Sequence, residues 1–536
     1  MAVLDARPTL RGGQPAISPV RLAGLAAAAV AVIPLIAVAA LALFGRGGDA
    51  VPLPLLLSYG LTTAVVAAMV LTGAFGFGVT AAWLVVMYDY PGRRLFEWAL
   101  ALPLAAPAFA LAYAYADLFD VAGPIRTAAR LWLGSDLPLE VRNPVGAGLI
   151  LSCAFYPYVY LTARAAFISQ SVCSLEAART LGCSPTQAFW RVALPMARPA
   201  IAAGAALALM ETLADYGAVN FLGVQTLTTG VVRSWASYGA PAAAARIALV
   251  LLGLAAVLLW IERAGRRGQG YGPSSQRWRT LPRARLDGAS GVGAAAFCLL
   301  LLTLGLLLPA GWLARLAAEQ TPDIARLTRA GLHALALAAG GAALTVVLAA
   351  LVAFGGRGSR FAARVVSLGY ATPGAVMAVG LLAPAGFLWR GVSGAAAASG
   401  VAIGLLMFAY AARLMAAAAE PIDAGLTRVT PSMDRAARTL GETEAGALRR
   451  VHAPLAGGAL FTAALLVFVD VLKELPATLI LRPFDFDTLA VLADNYAADE
   501  RLGAAAWPAL LIVLLAIGPV AWLSRAIALS RPGARP

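Results

Sequence analysis

Four carboxylates stand in two pairs of identical spacing near the ends of two apolar runs. Glu211 and Asp215 are four residues apart, as are Asp470 and Glu474. At that separation two side chains share one face of a helix. Carboxylate oxygens suit hard, highly charged cations. Acids in an apolar run are costly unless they face a cavity or each other. Lys473, the only lysine of the chain, lies inside the second pair, where it can neutralise one carboxylate, and Tyr216 directly follows the first. A structural role competes with cation binding. The acids can cap helix ends, or pair as gate contacts with Lys473 and nearby arginines. That structural role is the preferred reading, because a tight cation site would oppose release. Asp485 and Asp487 stand in the loop beyond, near Arg482.

Other chemistries lack their residues. The two histidines, His333 and His452, are far apart, and the four cysteines form no C-x-x-C pair. Zinc-ligand spacing is therefore missing, and Cys153 and Cys298, in apolar runs, read as small buried hydrophobes. A phosphate-binding loop of the G-x-x-x-x-G-K-[ST] type needs a lysine after glycines, and Lys473 sits in "FVDVLKELPATL". No nucleophile–base pair suggests a membrane-bound enzyme.

The elements that must position the acids are membrane helices. The chain has 536 residues, 61% hydrophobic and 13% charged. Soluble domains are nearer half apolar and a quarter charged. The net charge of +14 would suit a nucleic-acid binder, but the arginines are scattered between apolar runs, so no nucleic-acid partner is expected. Spans of about 20 apolar residues are predicted near 22–44, 58–87, 96–118, 145–168, 196–214 and 244–262, and again near 291–313, 331–354, 365–388, 396–418, 455–475 and 505–524. The fold class is an all-α polytopic membrane protein with about twelve spans. The second span contains "GAFGFG", which suggests a tilted or broken helix. With both termini in the cytoplasm, most basic residues fall on the inside, as the positive-inside rule asks. The divisions are an N-terminal segment with the first span (1–53), a first domain (54–262), a basic cytoplasmic linker (263–290), a seventh span with its external loop (291–330), a second domain (331–525) and a cytoplasmic tail (526–536).

The two halves are repeats. "EAARTLGCSPTQAFWRVALP" (176–195) and "RAARTLGETEAGALRRVHAP" (435–454) are identical at ten of twenty positions. The offset of 259 residues also carries Glu211 onto Asp470, Asp215 onto Glu474 and Pro195 onto Pro454. Six spans per half make the repeat parallel, with room for a pathway at the interface. In the first copy, a helix through Ala178 is interrupted at Gly182. Ser184 as N-cap and Pro185 at the first position then open a second helix, which is expected to end before Pro195. Two short helices at roughly a right angle should lie on the membrane surface, either as an interfacial connector or as a docking element.

The spacing E-A-A, three residues, Gly, nine residues, a β-branched aliphatic, one residue, Leu-Pro resembles the EAA signature of type I ABC importer permeases. Here it is Glu176, Ala177, Ala178, Gly182, Val192, Leu194 and Pro195. "METLADYGAVNFLGVQTLTTG" (210–230) and "FVDVLKELPATLILRPFDFDTLAV" (468–491) are similar to the fused ferric-iron permeases of that group. The resemblance spans about residues 50 to 525. It implies two parallel six-span repeats in the bacterial inner membrane, alternating access, and no cofactor in this chain. ATP and Mg would belong to a separate cytoplasmic ABC ATPase dimer, and a periplasmic binding protein would deliver the cargo. The ATPase-coupling residues are then Glu176, Ala177, Ala178, Gly182 and Pro195, with Ala436, Ala437, Gly441 and Pro454 in the second copy. The pathway or gate residues are Glu211, Asp215, Tyr216, Asp470, Lys473 and Glu474. Asp485 and Asp487 would face the binding protein or Arg482. The second copy departs at Arg435, where the signature has Glu, and at His452 and Ala453; Asp434 is the nearest carboxylate. Thiamine, polyamines and oxyanions are alternative cargoes, and an ion-gradient-driven transporter is the alternative of another class.

Overall fold

The computed structural model describes residues 19–45, 51–134, 140–169, 178, 180–266, 283–355, 366, 369, 372–389, 394–426 and 431–529. Among these the chain is almost wholly helical. Its strands are a two-residue parallel pairing of Tyr88–Asp89 with Ala284–Arg285. That pairing holds the exit of the expected linker against the loop after the second span. Residues 267–282 of the linker lie outside the described residues.

Nine described helices are long and apolar enough to cross a membrane, and two bent pairs raise the number to eleven. Twelve spans were expected, and the differences fall at prolines and breaks. The third span is Arg93–Ala105 followed by Ala108–Leu118, bent by 90°. Pro107 caps the second piece with extended backbone, since its missing N–H and fixed φ prevent continuation. The eleventh is Leu448–Leu455 and Gly457–Leu472, bent by 66°, where Ala456 and two glycines interrupt. The ninth is described over Gly374–Trp389, and most of 365–371, together with 390–393, lies outside the described residues.

The "GAFGFG" stretch does not break its helix. Leu53–Met87 runs unbroken for 35 residues. In an apolar medium no water competes for backbone hydrogen bonds, so glycine loses much of its power to end a helix. Gly78 instead permits close packing. A Cβ there would lie 2.8 Å from the Tyr160 nitrogen and from Val159 Cβ, so helices Leu53–Met87 and Pro144–Ser169 meet nearly backbone to backbone. Small residues at such contacts replace the hydrophobic driving force that lipid removes.

Each half lends its first helix to the other. Pro19–Phe44 packs on Ile324–Gly355 and Gly374–Trp389 of the second half. Reciprocally, the segment 289–318 lies on the first half, where Trp312 Nε1 donates to Asp117 at 2.7 Å and Tyr115 Oη donates to the Leu304 carbonyl at 2.6 Å. Fully buried Arg164 pairs with Glu97 at 2.8 Å and reaches Ser524 of the last helix at 3.5 Å. The halves are thus clasped by exchanged helices and by buried polar contacts.

Candidate functional site

The two repeated turns share one geometry. Gly182 and Gly441 both have φ of +83°, a left-handed conformation that favours glycine. Behind each glycine a hydrogen bond closes the preceding turn. Cys183 N donates to the Ala178 carbonyl, and Glu442 N to the Ala437 carbonyl, both at 3.0 Å. This is the six-to-one bond of a Schellman end. The next helix starts on a hydroxyl cap. Gln187 N donates to Ser184 Oγ at 3.2 Å while Ser184 N donates back to Gln187 Oε1 at 3.0 Å, a reciprocal cap. In the second copy Gly446 N donates to Thr443 Oγ1 at 3.1 Å. Ala178 and Ala437 are buried, while Arg435 and Ala436 are exposed. Glu176 and Ala177 lie outside the described residues, as does the side chain of Asp434.

Pro195 does not end its helix, contrary to expectation. Pro185–Ala188 passes through a π-helical turn at Phe189–Ala193 straight into Leu194–Ala214. Pro454 likewise follows a π turn, Leu448–His452. The wider turn opens the hydrogen-bond ladder where the proline ring would crowd a carbonyl. In the first copy motion of the turn can therefore pass directly into the following span, whereas in the second the 66° bend at Ala456 lies between them. Aromatic contacts add a second link. Phe189 lies 4.7 Å from Trp83, which lies 5.3 Å from Phe167. In the second copy buried His452 stacks on Phe354 at 5.8 Å, so its departure from the signature is a packing contact. Because Arg435 is exposed, Arg435→Glu is expected to change uptake by no more than about fivefold, the scale of about 1 kcal/mol for a surface ion pair. Uptake and ATPase rates of the reconstituted complex check this.

All six expected pathway residues line one cavity. It lies between the halves, and Glu211, Asp215, Tyr216, Asp470, Lys473 and Glu474 all line it. Two of the acids cap short helices. Asp215 Oδ1 accepts from Ala218 N and Val219 N, both at 3.1 Å. Glu474, 259 positions later, accepts from Ala477 N and Thr478 N at 3.1 Å and from Thr478 Oγ1 at 2.9 Å. The acids thus repeat their backbone contacts across the pseudo-two-fold. Lys473 Nζ lies 3.2 Å from Asp470.

Arg413 completes the cavity and was missed by sequence reasoning. It projects from Ala395–Leu426, 3.8 Å from Glu211 of the first half and 3.6 Å from Glu474 of the second. An arginine in the middle of an apolar run was the available signal. Among the described residues no group of three or more His, Cys, Asp or Glu side chains could hold a metal ion. The acids are separated by their own counter-charges and caps. The cavity carries charges of both signs, but its acids do not converge on one point.

Beyond the cavity, Asp487 pairs with Arg482 and, at 3.1 Å, with Arg326. His333 stacks on Phe486 at 4.0 Å. Phe484 and Asp485 are exposed at the tip of this loop.

Known proteins share this arrangement. The family described as "Binding-protein-dependent transport system inner membrane component" matches residues 74–267 and again 341–530. The Fe(3+)-transport system permease protein FbpB 2 of Haemophilus influenzae is 24% identical over 469 residues, covering 84% of this chain and 87% of that protein. The sulfate transport system permease protein CysT of Escherichia coli is 30% identical over 36% of this chain and 73% of its own length. The molybdenum transport system permease protein ModB of Escherichia coli is 28% identical over 36% of this chain and 88% of its own length. With two domain matches, two equivalent turns and one cavity between the halves, this chain belongs to the binding-protein-dependent inner membrane components, as an ABC importer permease with both halves in one polypeptide.

Proposed function

We propose that this permease imports ferric iron. The observation that carries the reading is the charge of the cavity: four carboxylates, Glu211, Asp215, Asp470 and Glu474, against two cations, Arg413 and Lys473. A surplus of acid lowers the energy of a passing cation and raises that of an oxyanion, and the effect is strong where low-dielectric walls focus the field. Likeness to an Fe(3+)-transport permease along most of both chains supports the same reading. Sulfate and molybdenum permeases match over about a third of this chain.

In this reading the turns at Gly182 and Gly441 face the cytoplasm and dock on an ABC ATPase dimer, which holds ATP and Mg. A periplasmic binding protein delivers the metal on the other side. Closure of the ATPase dimer moves both turns, and the spans that follow them switch the cavity between its two openings. The satisfied state of the acids suits passage, because a site without tight chelation releases its cargo.

The test is uptake by cells whose iron import depends on this system. They are expected to accumulate radioactive iron from ferric citrate, with competition from Ga³⁺ and none from sulfate or molybdate. Uptake of sulfate or molybdate in place of iron, or growth rescue by thiamine alone, would overturn the assignment of cargo. Iron uptake that persists without any ATPase would overturn the ATP-driven mechanism.

A further inference from the structure

The two halves supply the acids of the cavity equally, but not the cations. Moving 259 positions towards the N-terminus carries Asp470 onto Glu211 and Glu474 onto Asp215. The same step carries Arg413 onto Ala154 and Lys473 onto Ala214. Both alanines also line the cavity. Four acids are therefore arranged about a pseudo-two-fold, while both counter-charges come from the second half. Lys473 stays within its half, beside Asp470. Arg413 alone of the two reaches across, standing between Glu211 and Glu474.

We propose that Arg413 is the counter-charge that joins the two halves across the pathway. The reasoning is electrostatic. Glu211 and Glu474 come from different halves, and both are largely removed from solvent, their side chains 13% and 1% exposed. Two acids so placed repel each other unless a cation stands between them. The guanidinium is always charged and presents its donors in a wide fork, so one side chain can serve both. Its distances of 3.8 and 3.6 Å are those of ion pairs rather than tight hydrogen bonds. Such a tie holds the halves together yet can part at modest cost when the turns pull them. The Glu474 contact lies within one half and can persist through the motion. The Glu211 contact crosses the interface and is the one that must be remade in each cycle. Arg413 is thus a positioning residue of transport, acting through the two acids.

The inference rests on the cavity being the pathway, and a paired substitution tests it. In cells and in the purified complex, Arg413→Ala is expected to cut uptake at least tenfold. Arg413→Lys keeps the charge but not the fork and is expected to fall between wild type and Arg413→Ala. The double variant Arg413→Ala with Glu211→Gln removes the cation together with the acid it faces in the other half, and is expected to melt closer to wild type and to transport at least threefold faster than Arg413→Ala. A cation with a merely local role in its own helix would not be rescued by a change at Glu211 in the other half. Normal uptake in Arg413→Ala overturns the proposal. So does a double variant that accumulates like wild type yet transports no better than Arg413→Ala. If the double variant does not accumulate, Arg413→Gln with Glu211→Gln is judged against Arg413→Gln by the same criteria. The melting temperature of the detergent-purified chain should follow the same order as uptake. That readout needs no cargo, so a wrong cargo would leave this pattern intact, and a wrong role for Arg413 would leave wild-type iron uptake intact.

Discussion

Gly182→Val is expected to lower uptake at least tenfold while the chain still accumulates in the membrane and its ATPase partner still hydrolyses ATP. The reason is purely a matter of backbone. No heavy atom lies within 4 Å of where a Cβ would stand at Gly182 or at Gly441, so a side chain meets no steric obstacle. Each glycine, however, has φ of +83°. An L-residue in that region costs about 1–2 kcal/mol, and a β-branched one more. Penalties of this size change a local equilibrium by about five- to thirtyfold. The hydrogen bonds from Cys183 N to Ala178 and from Glu442 N to Ala437 depend on this conformation, and so does the angle at which the next helix leaves. The core and the spans are untouched, so insertion should survive. Gly182→Asn is the control. Asparagine tolerates the left-handed region, so this variant should retain uptake within about threefold. The same pair at Gly441 tests whether the copy with Arg435 carries equal weight. Uptake at wild-type rate in Gly182→Val would remove this turn from the coupling path.

The second large effect is expected at Glu474. Its side chain is 1% exposed and accepts hydrogen bonds from Ala477 N, Thr478 N and Thr478 Oγ1, with Arg413 at 3.6 Å. Glu474→Ala removes these partners together and leaves buried donors and a buried cation less compensated. Removing one partner of a buried pair typically costs about 3–5 kcal/mol. The variant should fail to accumulate, or melt many degrees below wild type in detergent. Asp215, its two-fold relative, offers a contrast within the same molecule. It accepts from two backbone amides at 3.1 Å but is half-buried. Asp215→Ala should therefore cost about 1 kcal/mol, as loss of a helix cap does. Equal melting temperatures for the two alanine variants would refute this account. Glu474→Gln keeps the side-chain volume and one of the two acceptor oxygens without the charge, so it should fold better than Glu474→Ala.

These two cases show how far a sequence carries. The glycine turns were legible because a turn is local. Gly182 with Ser184 and Pro185 fixes a left-handed end followed by a capped start, whatever surrounds them. The clustering of the acids was legible in part, because the offset of 259 residues repeats Glu211 and Asp215 as Asp470 and Glu474. The course of the backbone through prolines was less so. Pro195 reads as a break, yet a π turn absorbs it. The "GAFGFG" glycines read as a weak point, yet they lie in one continuous helix that packs closely on its neighbour. In both cases the deciding factor is the surrounding helices, which one segment's sequence does not contain.

The sequence by itself determined that this is an apolar, helical, duplicated chain with two polar turns and two acidic pairs. Composition, period and repeat act along the chain, and they need no partner to be read. Only the tertiary structure decided which charges meet. It brought Arg413, about 200 residues from Glu211, into the gap between that acid and Glu474. It exchanged the first helix of each half onto the other, and it made Asp215 and Glu474 caps of short helices. A charge in an apolar medium must find its counterpart somewhere. Where it does so depends on the packing of many helices at once, and that is a property of the fold rather than of any stretch of residues.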